Sequence, residues 1–110
     1  MPNTPSLAPA FRYDTTVYIV LNDFGKLGSA YVETNETEAD EATVVANIIA
    51  GVYSNPLRVI AFNTHEDWSR DVTEDVAHKI LFLNQQGTAL SEAAREFVER
   101  LTGTSTTVAV

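Results

Sequence analysis

Cysteine is absent from this chain, and with it go disulfides, thiolate zinc sites, iron–sulfur clusters and a cysteine nucleophile. Such a composition suits a reducing compartment. Histidine is almost as scarce: His65 and His78 are the only two, and they stand apart in sequence, so no tight zinc site is expected. Basic residues are few, with 7 Lys and Arg against 15 Asp and Glu, giving a formal charge of −8. The basic residues are scattered singly, so the footprint that displaces counterions from phosphates is missing. DNA, RNA and anionic membrane surfaces are therefore not expected partners. No apolar run approaches the ~20 residues that span a bilayer. The opening Met1-Pro2-Asn3-Thr4-Pro5-Ser6 lacks the basic and apolar regions of a signal peptide, which makes the cytoplasm the expected location.

What remains is an ordinary globular composition. The chain has 110 residues, 45% hydrophobic and 20% charged. At this length one domain buries roughly two thirds of its unfolded surface, enough for a core without staples. Three of the four prolines fall in residues 1–13, which reads as an extended arm, with Leu7, Phe11 and Tyr13 able to pin it. Residues 14–103 read as one domain and 104–110 as a tail.

The run Thr15-Thr16-Val17-Tyr18-Ile19-Val20-Leu21 is β-branched and aromatic on both faces, the mark of a central strand covered on each side. Turn formers from Asn22 to Gly28 lead to a second strand, Ala30 to Thr34, completing a hairpin. A first helix follows, capped by Asn35 or Thr37 with Glu38 or Asp40 in reply. Its stripe is Val44, Val45, Ile48, Ile49 and Val52, and Gly51 is its stop. Tyr53 to Pro56 form a turn before a third strand, Leu57 to Phe62. Asn63 to Asp71 read as a polar connector, and a second helix starts near Asp71 with Glu74 placed for a capping box. That helix carries Val72, Val76, Ile80 and Leu83; Ser91 caps a third, with Leu90, Ala94, Phe97, Val98 and Leu101 as its stripe.

The expected fold is α+β in the order ββαβαα. A right-handed crossover makes the second and third strands parallel, with the first between them and antiparallel to both. This gives a three-stranded, mainly antiparallel sheet of order 2-1-3, with three helices covering both faces.

No catalytic signature stands out, and no cofactor is expected. Asp23-Phe24-Gly25 matches the kinase magnesium tripeptide, but the other kinase motifs are missing. The segment Asn63 to Asp71 concentrates His65, Glu66, Asp67, Trp68 and Arg70 after a strand, where α/β folds often present function. Order 2-1-3 brings Glu33, Asn35, Asn63, Thr64 and His65 to one edge, near Tyr13 and Asp14. A general base or hard-metal site is conceivable there, but capping and seam-plugging by Thr64, Asp71 and Trp68 explain the same residues. Candidate ligand-binding residues are Asn63, His65, Trp68, Arg70, Arg58 and Glu33. Arg58 has three readings: a margin residue with its head in water, a partner of Glu33 or Asp23, or an anion clamp. His78 falls on the polar side of its helix. Leu81 and Phe82 extend apolar character beyond one stripe: either the third helix covers them, or they form a patch for a homodimer contact or a protein partner. The final Val108-Ala109-Val110 is read as a frayed end rather than a recognition peptide.

Asp23-Phe24-Gly25, Tyr53-Ser54-Asn55-Pro56, Arg58-Val59-Ile60-Ala61-Phe62-Asn63 and Trp68-Ser69-Arg70-Asp71-Val72 together resemble a family of small, uncharacterised bacterial proteins. The resemblance spans about half the chain, from Tyr18 to Asp75. It implies a bacterial cytoplasmic origin and no particular activity. The leading expectation is a non-catalytic interaction or regulatory protein acting through its acidic surface or a helical apolar patch. The alternative is a small-molecule-binding domain or minor enzyme using the polar edge at Asn63–Asp71.

Overall fold

In the computed structural model, which describes residues 16–32, 40–63 and 65–106, the hairpin strands come first. They are β1 (Val17–Asp23) and β2 (Ser29–Val32), joined through a single 3₁₀ turn at Gly25–Leu27. Then come α1 (Glu41–Ala50), β3 (Pro56–Asn63), β4 (Trp68–Asp71), α2 (Thr73–Gln85) and α3 (Glu92–Thr102). The sheet order is β2-β1-β3-β4, antiparallel throughout, so the class and the 2-1-3 order stand. The sheet has four strands, however, not three. The added strand lies within the segment read as a polar connector. Trp-Ser-Arg-Asp has no apolar alternation because β4 is an edge strand, short and polar as edges tend to be. Its extended form comes from pairing with β3: Ile60 opposite Asp71, Phe62 opposite Ser69 and Asn63 opposite Trp68.

The core lies on one face of the sheet. Val20 of β1 and Val59 and Ala61 of β3 are buried with Val44, Val45 and Ile48 of α1, Val76, Ala77 and Ile80 of α2, and Ala94, Phe97 and Val98 of α3. Val17, Ile19 and Leu21 alternate to the other face, opposite Phe62, Ile60 and Arg58. The expectation that helices cover both faces of β1 is thus corrected. All three pack on the Val20 side, because their apolar stripes also bury against one another. Among the described residues no helix is long and apolar enough to cross a membrane.

Local chemistry explains the helix ends. Asp40 is the N-cap of α1, its carboxylate accepting from the Thr43 amide at 2.8 Å. The caps proposed at Asn35 and Thr37 lie outside the described residues. Ser91 caps α3 by accepting from the Ala94 amide. Gly51 ends α1 at φ +82°, and a Cβ there would come within 3.1 Å of Ser91 Cβ. Only glycine allows both the turn and this approach, which joins the end of α1 to the start of α3. The Ser91 amide completes the junction by donating to the Ile49 carbonyl at 3.0 Å. α2 starts differently from the expected capping box. Val72 is its N-cap, without a side-chain cap bond, and the preceding Asp71 receives the Thr73 amide at 2.9 Å.

Two apolar residues are placed as spacing alone does not show. Val52 follows the Gly51 stop and is exposed. Leu81 is half-buried and packs against the core, whereas Phe82 remains exposed. At the other end, Asn22 is buried and brackets the Tyr53–Pro56 turn, accepting from the Asn55 amide at 2.9 Å and donating to Ser54. Thr106 is buried beside α3, where its amide and hydroxyl both donate to Glu99.

Candidate functional site

The β3–β4 turn holds four of the six candidate residues. Asn63 is buried at the last position of β3, and its Oδ1 accepts from the Glu66 amide at 2.9 Å, closing the turn. Its Nδ2 donates to the Thr16 hydroxyl at 3.3 Å, tying the turn to the strand entering beside it. Asp67 takes φ +59°, a conformation that Asp tolerates better than bulky residues. Trp68 is half-buried against the core and donates from Nε1 to Glu66 Oε1 at 2.9 Å. The Arg70 guanidinium lies 5.5 Å from the Trp68 ring centroid, a cation–π arrangement. His65 is exposed in the turn. Phe62, Asn63, Asp67, Trp68 and Ser69 line a cleft of about 330 Å³ beside it, to which neither His65 nor Arg70 contributes.

Of the groups expected to converge at this edge, Tyr13, Asp14, Glu33, Asn35 and Thr64 lie outside the described residues. Within them, the groups that do meet bond to one another. Asn63 bonds to the Glu66 amide and Thr16, Trp68 to the Glu66 carboxylate, and Arg70 stacks on Trp68. Such a set holds a four-residue turn in shape. Among the described residues, no three His, Asp or Glu side chains gather to hold a metal ion.

Arg58 sits elsewhere, where β3 meets the β4–α2 junction. Its Nη1 donates to Asp71 Oδ2 at 3.0 Å, a diagonal contact across neighbouring strands. The alternative partner Asp23 is instead bonded to the Gly25 amide, and Glu33 is outside the described residues. Asp71 also receives the Thr73 hydroxyl and amide, and Thr73 Oγ1 in turn accepts from the buried Val59 amide at 2.9 Å. One chain of bonds thus links β3, β4 and the first turn of α2. It borders a groove of about 310 Å³ lined by Arg58, Asp71, Thr73, Glu74, Asp75 and Leu101. Three carboxylates around one guanidinium that is already paired make a poor clamp for an anion. The Asp-x-Thr spacing that builds this network is readable in sequence as an Asx-type turn, but its partner Val59 is 14 residues back.

Burial alone would raise the Asp71 carboxyl. The Thr73 hydroxyl and amide, and then Arg58, outweigh that and hold it below the usual carboxylate range. A carboxyl lowered by folding stabilises the fold above its unfolded value, and that contribution is lost as pH falls through the folded value. Asp40 and Glu99 shift the same way, through bonds to Thr43 and Thr106. Asp71→Asn is therefore expected to cost about 1 kcal/mol at neutral pH, the scale of a lost helix cap. It should also reduce, without abolishing, the fall in stability on acidification. Urea unfolding midpoints of both proteins between neutral and acidic pH check this; parallel pH curves would rule it out.

Burial, and next the nearby Glu41 carboxylate, push the Tyr18 phenol up against the opposing pull of Lys79 and Arg70. Glu41 and Lys79 form an ion pair that ties α1 to α2. Sequence reading missed the exposed Phe24, Leu27 and Tyr31 of the β1–β2 hairpin, of which Leu27 is 90% exposed. Their only signal was large apolar residues inside a turn-rich stretch. Comparison with protein-family models, with curated proteins and with solved structures finds no match.

Proposed function

We propose that the protein is a non-catalytic interaction or regulatory module that meets a basic partner protein through the outward face of α2. The observation that carries this reading is Phe82, 58% exposed on a helix face whose other exposed residues include Glu74, Asp75 and His78. A large aromatic left in water beside carboxylates suits a partner that offers an apolar pocket rimmed by Lys or Arg. The charge of −8 steers such a partner toward it. A cytoplasmic setting fits a chain without cysteine.

The alternative, a small-molecule site or minor enzyme at Asn63–Asp71, rests on the 330 Å³ cleft beside Trp68. Against it stands the internal use of Asn63, Glu66, Trp68 and Arg70. The experiment that separates the two is affinity capture from extract of the source cells. Wild type is compared with Phe82→Ser and with Glu74→Lys/Asp75→Lys, each first shown to be folded. A protein captured by wild type and lost with both variants is the expected result. Capture indifferent to both changes would overturn the assignment to α2.

A further inference from the structure

The sheet face turned away from the helices offers a second, differently composed surface. Strand registers place three rows on it. Tyr31, Leu21 and Arg58 form the first; Ile19, Ile60 and Asp71 the second; Val17, Phe62 and Ser69 the third. Six of these nine are apolar or aromatic. Tyr31 is 49% exposed, and the five aliphatic and phenyl side chains are half-buried while standing outside the core cluster. Among the described residues no helix packs on them.

We propose that this outer face is where two copies of the chain meet, sheet against sheet about a two-fold axis. The distribution of charge favours a second copy on this side. The three helices carry six Glu and Asp against three Lys and Arg, so the helical side repels another copy. On the outer face Arg58 and Asp71 cancel in their own ion pair, and Asp23 at its corner is bonded to the Gly25 amide. Among the described residues, the outer face is thus the side on which two acidic chains bring the fewest like charges together. Stacked sheets lie about 10 Å apart. With a helical layer beyond each sheet, the helix-borne acids of the two copies are separated by more than the Debye length of about 8 Å in physiological salt. Across the nine described positions of these rows the face carries no net charge to select a basic partner, so apolar complementarity chooses its occupant, and a two-fold copy supplies that by symmetry. This contact is separate from the α2 surface assigned above, and the two readings stand or fall independently.

The test is sedimentation equilibrium of the full chain from micromolar to hundreds of micromolar, with circular dichroism as the folding control. Wild type is expected to give a dimer that dissociates on dilution. Ile60→Glu and Tyr31→Glu should each raise the dissociation constant by at least ~10-fold, or 1.4 kcal/mol. Phe82→Glu should leave it unchanged. Should Ile60→Glu fail to fold, the exposed position of Tyr31 keeps the second variant decisive. A wild type that stays monomeric throughout overturns the proposal, meaning that the face is covered by the chain's own remaining residues or by another protein. A dimer kept by the folded sheet variants, or lost in Phe82→Glu, overturns it equally.

Discussion

Phe97→Ala is expected to destabilise the protein by ~3–5 kcal/mol, the range for truncating a fully buried phenylalanine. Phe97 is 0% exposed and is the bulkiest of the fully buried side chains. It belongs to α3, the helix that packs on both other helices and on β3. Removing the ring leaves a void in a core built from side chains of three helices and the sheet, which cannot refill it without moving whole elements. A second loss adds to the first. The Arg100 guanidinium lies 5.8 Å from the ring centroid and donates from Nη2 to the Pro56 carbonyl at 2.9 Å, fastening α3 to the start of β3. Without the ring that arginine loses its support. Against a domain stability of ~5–15 kcal/mol, the loss approaches the whole margin at the lower end. Urea unfolding reads it as a lower midpoint at constant slope. A midpoint within the error of wild type would mean that α3 is not the helix on which the core closes.

Phe97 also shows why so much of the helical layer was legible. Ala94, Phe97, Val98 and Leu101 recur at helical spacing between a serine that caps and a glycine that ends, with Leu90 just before the cap, so face and boundaries were fixed by local chemistry. Ser91, Gly51 and Gly103 do what their residue types suggest. The strand order was legible for a related reason: a strand apolar on both sides belongs in the middle, and β1 does lie between β2 and β3.

What failed was information held by neighbours rather than by residues. β4 carries no alternation of its own, since its polar residues are made extended by hydrogen bonds to β3. Leu81 falls beyond the α2 stripe by spacing, yet it is half-buried and packs against the core, while Phe82 beside it stays exposed. The apolarity of Val17, Ile19 and Leu21 suggested helices on their face as well, but all three helices pack on the Val20 side. The candidate site divides in the same way. Asn63, Trp68 and Arg70 come together about the β3–β4 turn, with His65 exposed in it, whereas Arg58 meets Asp71 only through the unforeseen strand. Glu33 lies outside the described residues.

The first helix offers the sharpest contrast between spacing and packing, and Ile48→Ala with Val52→Ala measures it. Sequence periodicity puts both residues on one stripe with Val44. In the fold, Ile48 is 0% exposed in the centre of the core, while Val52 is 65% exposed one residue past the Gly51 cap. The left-handed turn at Gly51 redirects the chain before Val52 can follow the stripe. Ile48→Ala removes three buried carbons and should cost ~2–5 kcal/mol, toward the upper part of the range because α1 is fastened at its far end and cannot collapse inward. That end is held where the Ser91 amide donates to the Ile49 carbonyl and Gly51 lies against the Ser91 side chain. Val52→Ala removes two carbons that water already reaches, so its effect should fall within about 0.5 kcal/mol. Chemical unfolding of the two variants under one condition gives both numbers. Equal losses would mean that the helix runs on through Gly51 as periodicity suggests; a small loss at Ile48 would mean that α1 packs on the sheet through a different face.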